Sequence, residues 1–427
     1  MLLHNLRHIP DPYTAHRGVK RLRAGHAMLI RGGSIVKSWR YWTPHKSHVA
    51  STPENLRDLL EESIALRLHA DVPVGALLSG GIDSSAIVSL MTQFSSSPVN
   101  TYALGMDEND QDIVRARTMA KYLGTNHKEY YFDPEEQWEI FRNLIKIYGD
   151  PIMLLPLIHT YTLCRAVHRD GIKVVLNGNG ADELFYGYAG HPRVLQLSRL
   201  IEFGSPWRTF LAPLMPTRFS VLTASPGQRK AAYYRYLASS VWANCLSEDM
   251  RSIIHNRAAE EIKYWGELCP SESYVDESNF AALMVENTHS VTIAGDLPAM
   301  ANAVEMRSPF LDQNMIAFAL ATPAKMKIPD VHNLNYLKAI LRDSVKDLMP
   351  LEIFNASKRG FGHGIQEGEL LAGPWKKKAE AIFNEANTLD GLFSRDLILN
   401  NWKNFLNNKM PTSFMAKQLA IQTWASS

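Results

Sequence analysis

From Val72 to Leu176 short apolar runs alternate with stretches of helical periodicity, and this alternation constrains the fold more than any other feature. Residues 74–78 read as a buried strand and 84–93 as a helix. A second strand over 100–104 precedes a helix over 112–123. A third strand over 127–132 is followed by a helix over 160–168 and a fourth strand over 172–176. Strands separated by helices predict an α/β fold, a parallel sheet flanked by helices on both faces.

The flanks are different in kind. Residues 1–47 are short and turn-rich, and two apolar runs split by Arg31-Gly32-Gly33 predict a β-hairpin. A lone hairpin is marginal, so this piece is expected to lean on something else. Pro53 opens a helix over 54–69. Residues 191–275 show no clear period and read only as helical and connective, while the stretch from Phe280 to the end is mostly helical, broken at Pro309, Pro329, Pro350 and Gly360. The expected division is a small N-terminal β remnant over 1–47 and a larger domain over 48–427 with a helical C-terminal part.

At 427 residues, with 46% hydrophobic and 21% charged, the chain has material for a large core. A formal charge of +2 gives no general case for nucleic acid or an anionic membrane. Cys164, Cys245 and Cys269 form no CxxC pair, which excludes a disulfide framework and a cysteine zinc site. No run approaches the ~18 apolar residues a membrane helix needs. These features fit a reduced, cytoplasmic setting, with no nucleic acid and no membrane as partners.

The chemistry concentrates in loops. Leu77-Leu78-Ser79-Gly80-Gly81-Ile82-Asp83-Ser84-Ser85 lies between an apolar strand and a helix. Its glycines let the backbone approach a phosphate, its serines offer hydroxyls, and the helix start favours an anion. Asp83 fits such a cradle only with Mg²⁺ between carboxylate and phosphate. The plain alternative is a serine-capped Gly-Gly turn, and no Walker A sequence is present. Asn177-Gly178-Asn179-Gly180-Ala181-Asp182-Glu183 repeats the strand-end, helix-start context, so Asp182 is expected to face Asp83 and share the metal.

Two further segments keep two readings each. Glu305-Met306-Arg307-Ser308-Pro309-Phe310-Leu311-Asp312 mixes charges and apolar residues at a helix end, either as a catalytic element or as an ion pair fixing a turn. Ser357-Lys358-Arg359-Gly360-Phe361-Gly362 is either an ordinary surface loop or a cationic loop that closes on phosphates and neutralises departing pyrophosphate.

In this order the four segments resemble the synthetase domain of the class B, glutamine-dependent asparagine synthetases and their relatives, including β-lactam synthetase. The likeness runs from about Thr52 to Gly362. It implies an adenine-nucleotide, ATP-pyrophosphatase-type fold in which ATP is split to AMP and pyrophosphate. By that resemblance Leu77, Leu104, Asn177 and Gly178 line the adenosine site, and Ser79, Gly80, Gly81, Asp83, Ser84 and Ser85 hold phosphates. Asp83 and Asp182 carry Mg²⁺, Glu183 and Arg307 join the catalytic set, and Lys358 matches the family lysine that stabilises charge during adenylation.

Residues 1–47 resemble the end of the family's N-terminal glutaminase domain, notably at Ile9-Pro10-Asp11-Pro12-Tyr13-Thr14 and Leu22-Arg23-Ala24-Gly25-His26. That domain begins with a cysteine nucleophile, whereas here Leu2 follows Met1, so glutamine hydrolysis is not expected of this chain. The acceptor side departs from the pattern too. Asn179 stands where relatives carry an acid, Leu154, Leu155 and Pro156 follow Asp150-Pro151, and Asp296-Leu297-Pro298 lacks an arginine. The expected function is adenylation of aspartate or a larger carboxylate and its coupling to ammonia or an amine. The competing readings are a thiolating ATP-pyrophosphatase enzyme and a nucleotide-binding remnant. A separate glutaminase subunit or a second copy is the expected partner of the hairpin.

Overall fold

The computed structural model describes residues 9, 11–152, 154–203, 224–232, 259–357, 366–385 and 394–427. Its centre is a five-stranded sheet in the order β5-β4-β3-β6-β7, every neighbouring pair parallel. The strands are β3 (Val74–Leu77), β4 (Asn100–Gly105), β5 (Asn126–Tyr131), β6 (Val174–Leu176) and β7 (Glu305–Arg307). The expected parallel sheet is therefore present, and four of its strands lie where the apolar runs placed them. The fifth corrects the reading of 305–312 as a helix end: Glu305–Arg307 pairs with β6, and Pro309–Leu311 is a single 3₁₀ turn. Three residues bearing two opposite charges carry no strand period, so nothing in the local pattern announces this edge strand.

Helices cover the sheet. α1 (Pro53–Leu68) starts at Thr52, whose hydroxyl accepts from Asn55 N, with Pro53 in the first turn. It packs with α2 (Ile82–Phe94) and α3 (Gln111–Leu123) in one core that includes Leu56, Leu60, Ile87, Met91 and Met119. α3 and α4 (Pro134–Tyr148) are capped by Asp110 and Asp133 and end on left-handed Gly124 and Gly149. Beyond α4 come α5 (Leu155–Arg169), α6 (Ala181–Phe185) and α7 (His191–Phe203).

A second core joins α4 and α5 to the C-terminal helices. Trp138 and Phe141 pack against Trp375, and Phe383, Trp402 and Phe414 complete the layer. Before β7, α8 (Tyr274–Ala281) runs into a wide π-helical segment over Ala282–Ile293 and then into α9 (Ala294–Met300). After β7 follow α10 (Gln313–Ala321), α11 (Ala324–Lys327) and α12 (Ala339–Val345).

The N-terminal hairpin is present as β1 (His26–Arg31) and β2 (Ser34–Arg40), and its residues are almost all exposed. The segment before it is strapped to the body of the molecule. Arg21 pairs with the buried Asp150, Ala15 N donates to Asp150 Oδ1 at 2.8 Å, and His16 Nε2 lies 2.8 Å from Gly149 O. Arg23 meets Glu261 at 2.7 Å.

Candidate active site

Strand order reverses between β3 and β6: the chain steps outward through β4 and β5, then returns to the other side of β3. Ala76 stands opposite Leu176, so the loops after these strands open side by side at one end of the sheet. Open α/β sheets present their ligand crevice at such a switch point.

In the first loop Gly80 adopts φ +69°, and a Cβ there would collide with the backbone at Arg115 and Ala116. Ser84 ties the turn together. Its Oγ accepts from Ser79 N at 3.2 Å and lies 3.0 Å from Ser79 Oγ. The bend leaves Asp83 in the first turn of α2, its side chain 23% exposed. Ser85, expected among the phosphate ligands, is instead fully buried. Leu77 and Leu104 share an apolar cluster with Met306.

The second loop lies against the first. A Cβ on Gly178 would stand 3.0 Å from that of Asp83. Asn177 Oδ1 accepts from Asn179 N and from Ser308 Oγ, both at 2.9 Å, while its buried Nδ2 has no hydrogen-bond partner among the described residues. Asn179 Nδ2 reaches Val291 O of the π-helical segment at 3.4 Å. Glu183 turns inward: it accepts from Gly180 N at 3.1 Å and from Tyr188 OH. Burial, reinforced by the neighbouring Asp182, raises the Glu183 carboxyl above its ordinary range. Its visible work is to hold the loop.

Between the loops sits a residue the motifs did not single out. Lys338 Nζ lies 2.6 Å from Asp83 Oδ2 and 2.5 Å from Asp182 Oδ1, with its side chain 8% exposed. Burial alone would lower its basicity, but Asp182 and Asp83 outweigh burial and hold the ammonium charged. Lys338 enters α12 at φ +58°, on the side of a helix start that disfavours a cation. Gly187 makes room for this contact, since a Cβ there would overlap the Asp182 carboxylate and Lys338 Cε. A lysine just before a helix, where Ser, Thr, Asp or Asn is the usual cap, is the one sequence signal that could have found it.

Other predicted residues stand apart. Arg307 donates to the carbonyls of Arg67 at 2.7 Å and His69 at 2.8 Å and pairs with Glu305. That guanidinium fastens the end of α1 to β7. Lys358 lies outside the described residues. Ser357, just before it, accepts from Arg115 Nη1 at its carbonyl at 2.9 Å.

Residues 55–426 match the family model described as asparagine synthase. The chain belongs to the asparagine synthase family. A putative glutamine-hydrolyzing asparagine synthetase from Mycobacterium tuberculosis is 28% identical over 392 residues, covering 86% of this chain and 58% of that protein. Asparagine synthetase (glutamine-hydrolyzing) 1 of Bacillus subtilis is 25% identical over 405 residues, covering 92% of this chain and 62% of its own length. The amidase chyE of Penicillium rubens is 27% identical over 406 residues, 82% of this chain and 59% of that protein. The chain thus spans about three fifths of the length of these curated relatives.

Ser79 and Ser84 close the turn at the start of α2, and a helix start favours an anion. Two carboxylates from separate loops already converge on one cation, the Lys338 ammonium, which shows that the geometry accepts positive charge between them. Among the described residues no three His, Cys, Asp or Glu side chains group to hold a metal. A divalent ion on Asp83 and Asp182 would complete its shell with water and phosphate oxygens, as Mg²⁺ commonly does.

Proposed function

We propose that this asparagine synthase family protein is an ATP-dependent amide-forming ligase. A carboxylate oxygen attacks the α-phosphorus of ATP, the bond to pyrophosphate breaks, and the resulting acyl-adenylate transfers its acyl group to ammonia or an amine as AMP leaves. The observation that supports this reading most is the meeting of Asp83, Asp182 and Lys338 beside the Ser79–Ser84 turn. Negative charge grows on pyrophosphate as it departs, and a charged, buried lysine placed there lowers the cost of that growth. Mg²⁺, when held by Asp83 and Asp182, would supply further neutralisation of the phosphates. Lys358 would add a second cation from its loop.

On the acceptor side Asn179 presents an amide, which takes up no proton from an incoming ammonium. Asn179 therefore supplies no base for the incoming nitrogen. The acid in this reading is aspartate or a larger carboxylate; Leu154 and Leu155, where the sequence departs from the family pattern, pack in the core with Trp138 and Phe141. The segment before the hairpin is strapped to the body of the molecule, and the exposed hairpin is where a glutaminase subunit or a second copy would bind in this reading. No helix among the described residues is long and apolar enough to cross a membrane.

ATP–pyrophosphate exchange with labelled pyrophosphate, across aspartate and a panel of larger carboxylic acids, tests the proposal. One acid should support exchange, and Asp83→Asn or Asp182→Asn should lower it by roughly 100-fold or more. Measurable ATP binding with no exchange for any acid would instead favour the nucleotide-binding remnant.

A further inference from the structure

Two carboxylates held close together in a half-buried site repel each other and demand a counter-ion. Lys338 meets that demand from within the chain, bridging Asp83 Oδ2 and Asp182 Oδ1 at 2.6 and 2.5 Å. The contact is built rather than incidental. Gly187 leaves the space it needs, the backbone of Lys338 is left-handed, and the lysine side chain is almost wholly enclosed. A divalent cation bound to the same carboxylates would stand within a few ångströms of the ammonium, where like charges repel strongly.

We propose that Lys338 acts as a resident counter-cation that keeps divalent metal off Asp83 and Asp182 until a nucleotide's phosphates draw the lysine away. The proposal rests on reading the Ser79–Ser84 turn as the phosphate site, because only an anion beside the lysine offers it an equivalent partner. Metal and nucleotide then enter as one complex, and the metal alone does not. This ordering prevents a tightly held ion from blocking the site and couples metal affinity to the phosphates.

Electron paramagnetic resonance titration of Mn²⁺ measures this directly, without turnover. Wild-type protein without nucleotide should show weak binding, strengthened on adding ATP. Lys338→Met should bind Mn²⁺ without nucleotide at least ~10-fold more tightly than wild type. Adding Asp83→Asn to Lys338→Met should abolish the gain, which locates the ion at this pair. If the methionine variant does not fold, Lys338→Gln removes the charge while keeping a donor for both carboxylates, with the same gain expected. Lys338→Arg keeps the charge and should stay as weak as wild type. Equal Mn²⁺ affinity in wild type and the neutral variants would overturn the proposal, as would wild-type binding equally tight with and without ATP. Failure of the ligase reading is distinct: a neutral variant that gains Mn²⁺ while wild type exchanges pyrophosphate with no acid leaves the counter-cation role standing.

Discussion

Gly187 sets how closely opposite charges meet at the site, because any side chain there would wedge Asp182 from Lys338. Displacing a positioned group by about 1 Å can cost on the order of 100-fold in rate. Gly187→Ala should therefore lower pyrophosphate exchange by roughly that factor while the protein still melts cooperatively; unchanged exchange would show that the bridge tolerates displacement. At this scale the two aspartates were legible because each sits in a glycine-rich turn between an apolar strand and a helix. Lys338 was not, since lysine is common and the left-handed start of α12 is not written in Leu337-Lys338-Ala339. Arg307 was legible as a charge but not as a fastener, because its carbonyl partners Arg67 and His69 precede it by more than two hundred residues.

At the scale of elements, the segment before the hairpin acts as a strap whose strongest fixing is Arg21 on Asp150. Arg21 also donates to Ile9 O at 3.0 Å and Tyr13 O at 2.9 Å, so one guanidinium folds the strap and docks it. Arg21→Met strands a carboxylate that is 5% exposed, and the loss should be about 2 kcal/mol, read from urea unfolding midpoints. A variant as stable as wild type would mean that Ala15 N and water satisfy Asp150 unaided. Four strands were readable because their apolar runs are bounded by turns. β7 was not, because a three-residue edge strand takes its identity from the partner β6. Neither did the apolar pattern over 282–293 mark π-helical geometry, which differs from an α-helix in hydrogen-bond spacing and not in composition.

For the molecule as a whole, buried ionisable groups shape stability against pH. Burial lowers His159 to about 4, and its ring packs edge-on to Phe132. The unfolded chain protonates this histidine near 6.5 and the folded chain does not, so stability present above pH 6.5 drains away as pH falls toward 4. The full effect is roughly 3 kcal/mol, and His159→Leu should flatten that limb of a pH–stability curve. An unaltered limb would assign the acid sensitivity elsewhere. The sheet has a consequence in time as well as space. β7 comes from residues 305–307, and Lys338 follows Asp83 by 255 positions. A growing chain that has just reached residue 300 carries both aspartates but neither β7 nor the lysine. During synthesis on the ribosome, the loops therefore emerge as a like-charged pair whose neutraliser is still to be translated.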